Sequence, residues 1–409
     1  MNKCNQSVQE KGMLSQRIQN IDFPVFGKIA AFARDKDVIR LDAGEPDFPA
    51  PTLIKAAAVT AITADYNQYA PVPGLEELRR SISAKIEARE GVLFEPLSQI
   101  TVCCGATEGL AAALLAIVNP GDEVILLEPA YTVYTPDVLL CGGSPVYVQL
   151  SPPEFCIEKH KLEEAVSPRT KAIIINSPHN PTGRVYSHKE LTIIAEFCLQ
   201  HNLLAITDEV YEELIYDGGK MERLWKIPGM EDRTIIISGF SKTFSVTGWR
   251  LGYVAAPAKL SRGVQLAHNY LTVGTAAPLQ RAAVTAAQMT AEYYQQLVAL
   301  LQQRRDILLD GLRKVGFECR CPQGGYFILA DASRFGWQND WALAEYLIKD
   351  IGVAAIPLSG FYQEYPQDNP VFLRFAFCKR EETIHAAIER LQRVKLKNIA
   401  ERRLEHVAL

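Results

Sequence analysis

Five short apolar runs punctuate the middle of the chain: Ile100–Val102, Val124–Leu127, Ala172–Ile175, Leu203–Ile206 and Thr234–Ser238. Stretches of helical length separate them, the first opening near Glu108. Runs this short and this apolar suit strands buried on both faces, and parallel strands joined by crossover helices meet that demand. The expected fold is therefore α/β, a mostly parallel sheet flanked by helices. In such sheets ligands sit beyond the carboxyl ends of the strands. Each run is followed within a few residues by a glycine, an asparagine or a charged group: Gly105, Glu128, Asn176, Asp208, Lys242.

Beyond about residue 285 the pattern changes. A long helical stretch, Ala291–Val315, precedes the apolar runs Tyr326–Leu329, Val353–Ile356 and Val371–Phe377, with a helix near Trp341–Lys349 and a charged one from Glu381. This reads as a smaller α+β domain (289–409), which the first segment (1–48) joins, leaving 49–288 as the large ligand-binding domain. A net charge of -4 argues against a nucleic-acid or anionic-membrane surface. The longest apolar stretch, Leu110–Val118, is too short to span a bilayer, and Met1–Gln19 lacks the apolar core of a leader peptide. Nine cysteines without paired metal-ligand spacing suit a reduced, cytoplasmic protein with no metal site.

The chemistry gathers at the run ends. Lys242 follows a strand, and a lysine desolvated beside another cation is partly deprotonated and can hold an aldehyde as a Schiff base. Arg250, between Gly248 and Gly252, offers a planar fork for a phosphate. An aldehyde and a phosphate on one molecule describe pyridoxal 5'-phosphate (PLP). Gly105, Ala106 and Thr107 form a strand-to-helix turn whose amides face an anion, or else a plain turn capped by Thr107. Asp208 at a buried strand end needs a cationic partner, which a pyridinium N–H supplies. An N-cap aspartate opening a helix over Glu209–Ile215 is the alternative. Tyr211 lies one helical turn on. Asn180, in Asn180-Pro181-Thr182-Gly183, is either a turn residue or a donor to the cofactor's phenolic oxygen. Arg374 within Val371–Phe377 meets an anion such as a substrate carboxylate, or lies on an edge strand reaching solvent.

Together these residues resemble the class I/II aminotransferases of PLP fold type I, from Ile21 to about Arg393. The resemblance implies a homodimer acting on an amino acid and a 2-oxo acid. It gives Lys242 the Schiff base and the proton transfer. Asp208 pairs the ring nitrogen, Tyr211 and Asn180 bind the phenolic oxygen, and Tyr131 stacks on the ring. Gly105, Ala106, Thr107, Ser241 and Arg250 hold the phosphate, joined by Tyr69 from the neighbouring subunit. Gly44, Asn180 and Arg374 contact the substrate carboxylate, and Phe23 lies by the substrate. The Asn180–Pro181 bond is expected to be cis. The segments Phe23–Ala30 and Gly352–Phe361 are similar to the kynurenine, glutamine and methionine aminotransferase branch. Two departures stand out. Gly239 occupies a position that often bears a hydroxyl, and Leu271–Pro278 carries no arginine of the kind dicarboxylate-specific relatives use.

The implied reaction moves the α-amino group of an L-amino acid to a 2-oxo acid. The alternative, with the same residues, is a PLP-dependent β/γ-elimination or cyclisation of a substituted amino acid.

Overall fold

The computed structural model describes residues 14–34 and 37–395. Most of the stretch Met1–Gln19, and the outer ends of the two terminal segments, lie outside the described residues. After a helix over Val25–Ala33 comes β1 (Ile39–Arg40). Next are β2 (Ile100–Cys103), β3 (Glu123–Glu128), β4 (Ser144–Gln149), β5 (Thr170–Asn176), β6 (Leu204–Asp208), β7 (Thr234–Gly239) and β8 (Gly252–Ala255). These seven, β2 to β8, form one sheet in the order β2-β8-β7-β6-β5-β3-β4. The strands from β7 through β4 pair in parallel, while β8 runs antiparallel to both β7 and β2.

The alternation inside each run explains the layering. Ile125, Ile173, Ile175 and Ala205 pack with Leu191, Ile194 and Phe197 of the helix His188–Gln200 on one face. Val124, Leu126, Ile174, Ile206, Ile235 and Ile237 pack with Leu110 and Leu114 of the helix Gly105–Ile117 on the other. Period-2 side chains that are apolar on both faces leave a strand no solvent side, so both faces take helices.

Two strands depart from the sequence reading. β4 begins at an exposed Ser144 and carries Pro145 on an edge, and β8 has only four residues. The first crossover helix starts at Gly105 rather than Glu108. No helix follows Asp208; β6 runs into turns, with Glu212 N–H donating to the Glu209 carbonyl and Leu214 N–H to that of Tyr211.

The smaller unit follows the helix Ala291–Val315. It contains β9 (Glu318–Cys319), β10 (Phe327–Asp331), β11 (Val353–Ala354), β12 (Ile356–Pro357) and β13 (Phe372–Ala376). The apolar run Val353–Ile356 splits at Ala355. β11 pairs in parallel with β1, whereas β12 joins the sheet β12-β13-β10-β9. β13 is thus an interior strand, and Arg374 at its centre is registered with Ile356 on one side and Leu329 on the other. Among the described residues no helix is long and apolar enough to cross a membrane.

Candidate active site

The carboxyl ends of β2, β3, β5, β6 and β7 share one edge of the large sheet, and antiparallel β8 starts there. Register makes this explicit: Asn176 faces Asp208, Asp208 faces Ile237, Gly239 faces Gly252, and Cys103 faces Gly252. A cavity of about 480 Å³ opens at this edge, closed from the other side by the smaller unit. Ala106, Thr107, Tyr131, Asn180, Asp208, Tyr211, Ser241, Lys242, Arg250, Gly44 and Arg374 all line it.

At the floor, Lys242 Nζ donates a 3.1 Å hydrogen bond to the Gly44 carbonyl. Burial pushes its pKa down, and the nearby cations Arg374 and Arg250 add to this. The Lys242 carbonyl is held by the Tyr326 hydroxyl. Asp208 is buried, which raises its carboxyl above the usual range. It accepts a 2.7 Å bond from Tyr134 OH on Oδ2 and a 3.3 Å bond from the Val210 amide on Oδ1. The Tyr134 hydroxyl, the Val210 amide and the Lys242 charge all favour the carboxylate but do not offset its burial, and that under-compensated environment fits a ring N–H⁺.

The end of the cavity expected to take a phosphate is built by close backbone approach. A Cβ on Gly252 would lie 2.6 Å from the Ala106 nitrogen and 2.8 Å from the Gly105 carbonyl carbon. A Cβ on Gly105 would lie 2.6 Å from Nη2 of Arg250. Gly105 itself has φ +82 and opens the 13-residue helix Gly105–Ile117, whose first amides have no intrahelical acceptors. Arg250 is in the left-handed region (φ 51), which aims its guanidinium back at that helix start. Cys104, not Thr107, is the N-cap. Gly239 opposes Gly252, and a Cβ there would lie 3.0 Å from the Gly252 Cα, so tight strand pairing accounts for the missing hydroxyl.

At the opposite wall Arg374 is 1% exposed, which excludes a solvent-reaching edge arginine. Its Nη1 donates to Asn180 Oδ1 at 2.8 Å and its Nη2 to the Asp42 carbonyl at 2.6 Å, while Nε has no partner. The guanidinium lies 3.9 Å from the Phe327 ring centroid and 5.0 Å from that of Phe26. Burial lowers its pKa to about 10. The nearby Asp42 carboxylate is taken by Arg40, and the acceptors on Arg374 are a neutral amide and a backbone carbonyl, so this buried cation suits an incoming carboxylate. Gly44 stays small because a Cβ would lie 2.6 Å from Phe327 Cζ. The Asn180–Pro181 bond is cis.

Three expected residues are not in the lining: Gly105, which lies behind Ala106, Tyr69, which is expected at a neighbouring subunit's site, and Phe23. Tyr69 is 87% exposed and outside the cavity lining. Phe23 is 82% exposed; it precedes the helix Val25–Ala33, whose inner face presents Phe26 to the cavity instead. Sequence reasoning also passes over Tyr134 and Phe327, which line the cavity and reach Asp208 and Arg374 from segments remote in sequence.

The unpaired Arg374 Nε, the under-compensated Asp208 and the glycine-built phosphate cradle fit PLP at one end and a carboxylate at the other. Fold and cavity define a PLP-dependent enzyme of fold type I. Residues 36–391 match the family model described as aminotransferase class I and II. The solved N-succinyldiaminopimelate aminotransferase from Mycobacterium tuberculosis superposes with a TM-score of 0.90 at 40% identity, covering 93% of this chain and 99% of that one. The methionine aminotransferase of Escherichia coli is 34% identical over 92% of this chain and 97% of the relative. The kynurenine–oxoglutarate transaminase of Dictyostelium discoideum is 35% identical over 88% and 91%. The chain belongs to the class I and II aminotransferases, and its reaction is PLP-dependent transamination. These relatives lend nothing to the elimination or cyclisation alternative.

Proposed function

We propose that Lys242 carries the cofactor and moves the substrate proton in transferring an α-amino group from an L-amino acid to a 2-oxo acid. The observation that carries this reading is the convergence of Lys242, Asp208, Arg250 and Arg374 on one cavity. PLP, when bound, withdraws electron density from the bond to the substrate's Cα. Every other task falls to the chain. Arg374 takes the substrate carboxylate, with the Gly44 backbone beside it and Phe26 and Phe327 excluding water from the pair. Lys242, whose ammonium form burial disfavours, is available as the free amine and takes the Cα proton. Asp208, held by Tyr134, keeps the ring nitrogen protonated. Asn180 and Tyr211 hold the phenolic oxygen, Tyr131 covers the ring, and Gly105, Ala106, Thr107, Ser241 and Arg250 hold the phosphate.

A homodimer completes this reading. Tyr69 stands 87% exposed, and Leu53, Val59 and Tyr66 in the preceding residues are exposed apolar side chains too, in keeping with a second copy covering this segment and receiving Tyr69 at its own phosphate site. We place the domain division at 48/49 and 288/289, which keeps the seven-stranded sheet in one unit and β1 with β9 to β13 in the other. Eight free cysteines among the described residues support a cytoplasmic setting.

The test uses a ¹⁵N-labelled amino-acid panel with a 2-oxo acid acceptor. Transfer puts the label into a new amino acid, and Lys242→Ala abolishes it. Label released only as ammonia, or retained activity in Lys242→Ala, overturns the reading.

A further inference from the structure

Glu212 lies behind the cavity wall, one residue past Tyr211, and does not line the cavity. It is buried in the turns that follow β6, and its carboxylate joins them to the ends of β7 and β8. Oε1 accepts a 2.9 Å bond from Ser238 Oγ on β7 and a 3.0 Å bond from Tyr253 OH on β8. Oε2 accepts a 3.1 Å bond from Arg223 Nη2. Lys85 Nζ stands 3.4 Å from Oε1 and Arg89 Nη1 3.6 Å from Oε2. The backbone of the same residue is pinned as well, its carbonyl accepting a 2.6 Å bond from Arg89 Nη2.

What these donors belong to matters more than their number. Ser238 is four residues before Lys242, Tyr253 is three after Arg250, and Glu212 itself is four after Asp208. We infer that Glu212 is a positioning residue: one carboxylate fixes the ends of β6, β7 and β8 against one another, and so sets where Asp208, Lys242 and Arg250 stand around the cofactor.

A purely structural ion pair would not need this arrangement. Buried ion pairs contribute little net stability, since desolvation offsets attraction. Arg223 already has Glu90 and Glu209 as partners, and Lys85 and Arg89 both have Glu213. Among the described residues, only Glu212 reaches both the Ser238 and the Tyr253 hydroxyls. Burial opposes its ionisation, yet Lys85, Arg223 and Arg89 hold it well below the usual carboxylate range, so it accepts from both hydroxyls across the working pH range.

This inference rests on the roles proposed above for Lys242 and Arg250. Its test uses Glu212→Gln together with Ser238→Ala and Tyr253→Phe, which each remove one bond and keep the ion pairs. In the holoenzyme kcat for amino transfer falls about 10- to 100-fold in Glu212→Gln, as expected when a reacting group is displaced by a fraction of an ångström, with KM near wild type. In the cofactor-free protein, competitive acylation of Lys242 titrates closer to the ordinary lysine value of 10.5 than in wild type, because a loosened lysine is better solvated. Ser238→Ala and Tyr253→Phe move both readouts in the same direction, and their double variant approaches Glu212→Gln. Lower melting with kcat and the Lys242 titration unchanged overturns the inference, and if Glu212→Gln does not fold the two milder variants decide alone. Should the wild type transfer no label, the proposed function falls first, while the Lys242 titration still reports whether Glu212 positions that side chain.

Discussion

The side-chain oxygen of Asn180 accepts a 2.8 Å hydrogen bond from Nη1 of Arg374, joining the loop after β5 to the middle strand of the small sheet across the cavity. Because a guanidinium only donates, this contact also settles which end of the Asn180 amide faces Arg374. The NH₂ end is left to donate. The residues proposed to receive the substrate carboxylate and to donate to the cofactor oxygen are therefore one hydrogen-bonded unit.

That coupling separates two substitutions. Asn180→Asp sets an anion against Arg374, so KM for the amino donor rises about 10-fold or more as the new carboxylate competes with the substrate's. Asn180→Ala lowers kcat by losing the donor but leaves Arg374 unpaired, and KM changes less. Steady-state kinetics with one amino donor distinguish the two; equal KM changes would disconnect the residues.

Tyr134 OH is the one side-chain donor holding the Asp208 carboxyl among the described residues, at 2.7 Å. Burial raises that carboxyl and the hydroxyl opposes the rise. Tyr134→Phe therefore raises it further, and a group needed in its ionised form then fails at higher pH. The acid limb of the kcat profile moves up, and the protein loses about 1 kcal/mol of stability in denaturant melts. An acid limb that stays in place would mean the hydroxyl does not tune Asp208.

Gly252 has no room for a side chain because backbone lies on both sides of the missing Cβ. Gly252→Ala pushes β8 away from the start of the helix Gly105–Ile117, and the dissociation constant for PLP rises at least about 10-fold, equivalent to about 1.4 kcal/mol. Gly248, in the same segment, has nothing within 4 Å of the point where a methyl group would sit, so Gly248→Ala binds PLP like wild type. Equilibrium dialysis of both variants makes the comparison.

Much of this site was legible because its residues occupy strand ends in a sheet whose interior runs are unmistakably apolar. Buried parallel strands leave few other readings for Thr234–Ser238, and Lys242 follows from its end. What stayed hidden depends on neighbours remote in sequence. β4 mixes Pro145 and exposed positions on an edge, so it lacks the signature of its buried companions. The turn at Asp208 resembles a helix start, since an aspartate before Glu209–Ile215 caps helices well, but the Asn176 amide and the β7 ladder claim that backbone instead. Phe23 precedes the helix Val25–Ala33 whereas Phe26 lies in its first turn, and the packing of Phe26 against Phe361 and Arg374 turns it inward.

Glu128 closes β3 just before Tyr131 and is buried. Its Oε1 accepts a 2.5 Å bond from the Gln363 amide, while Oε2 has no partner. Burial raises its pKa from 4.5 to about 7, against the pull of that amide. The sign follows from proton counts. Between these two values the folded state holds a proton that the unfolded state has lost, so stability falls as pH rises through this window and stays low above it. Glu128→Gln keeps the acceptor for Gln363 and removes the titration. Its unfolding free energy relative to wild type, read from denaturant melts, therefore climbs between about pH 4.5 and 7 and levels off above, by at most about 3 kcal/mol for a shift of this size. A difference independent of pH would place the Glu128 carboxylate in water or beside an unseen cation. A difference falling with pH would mean that it is ionised and paired in the folded protein.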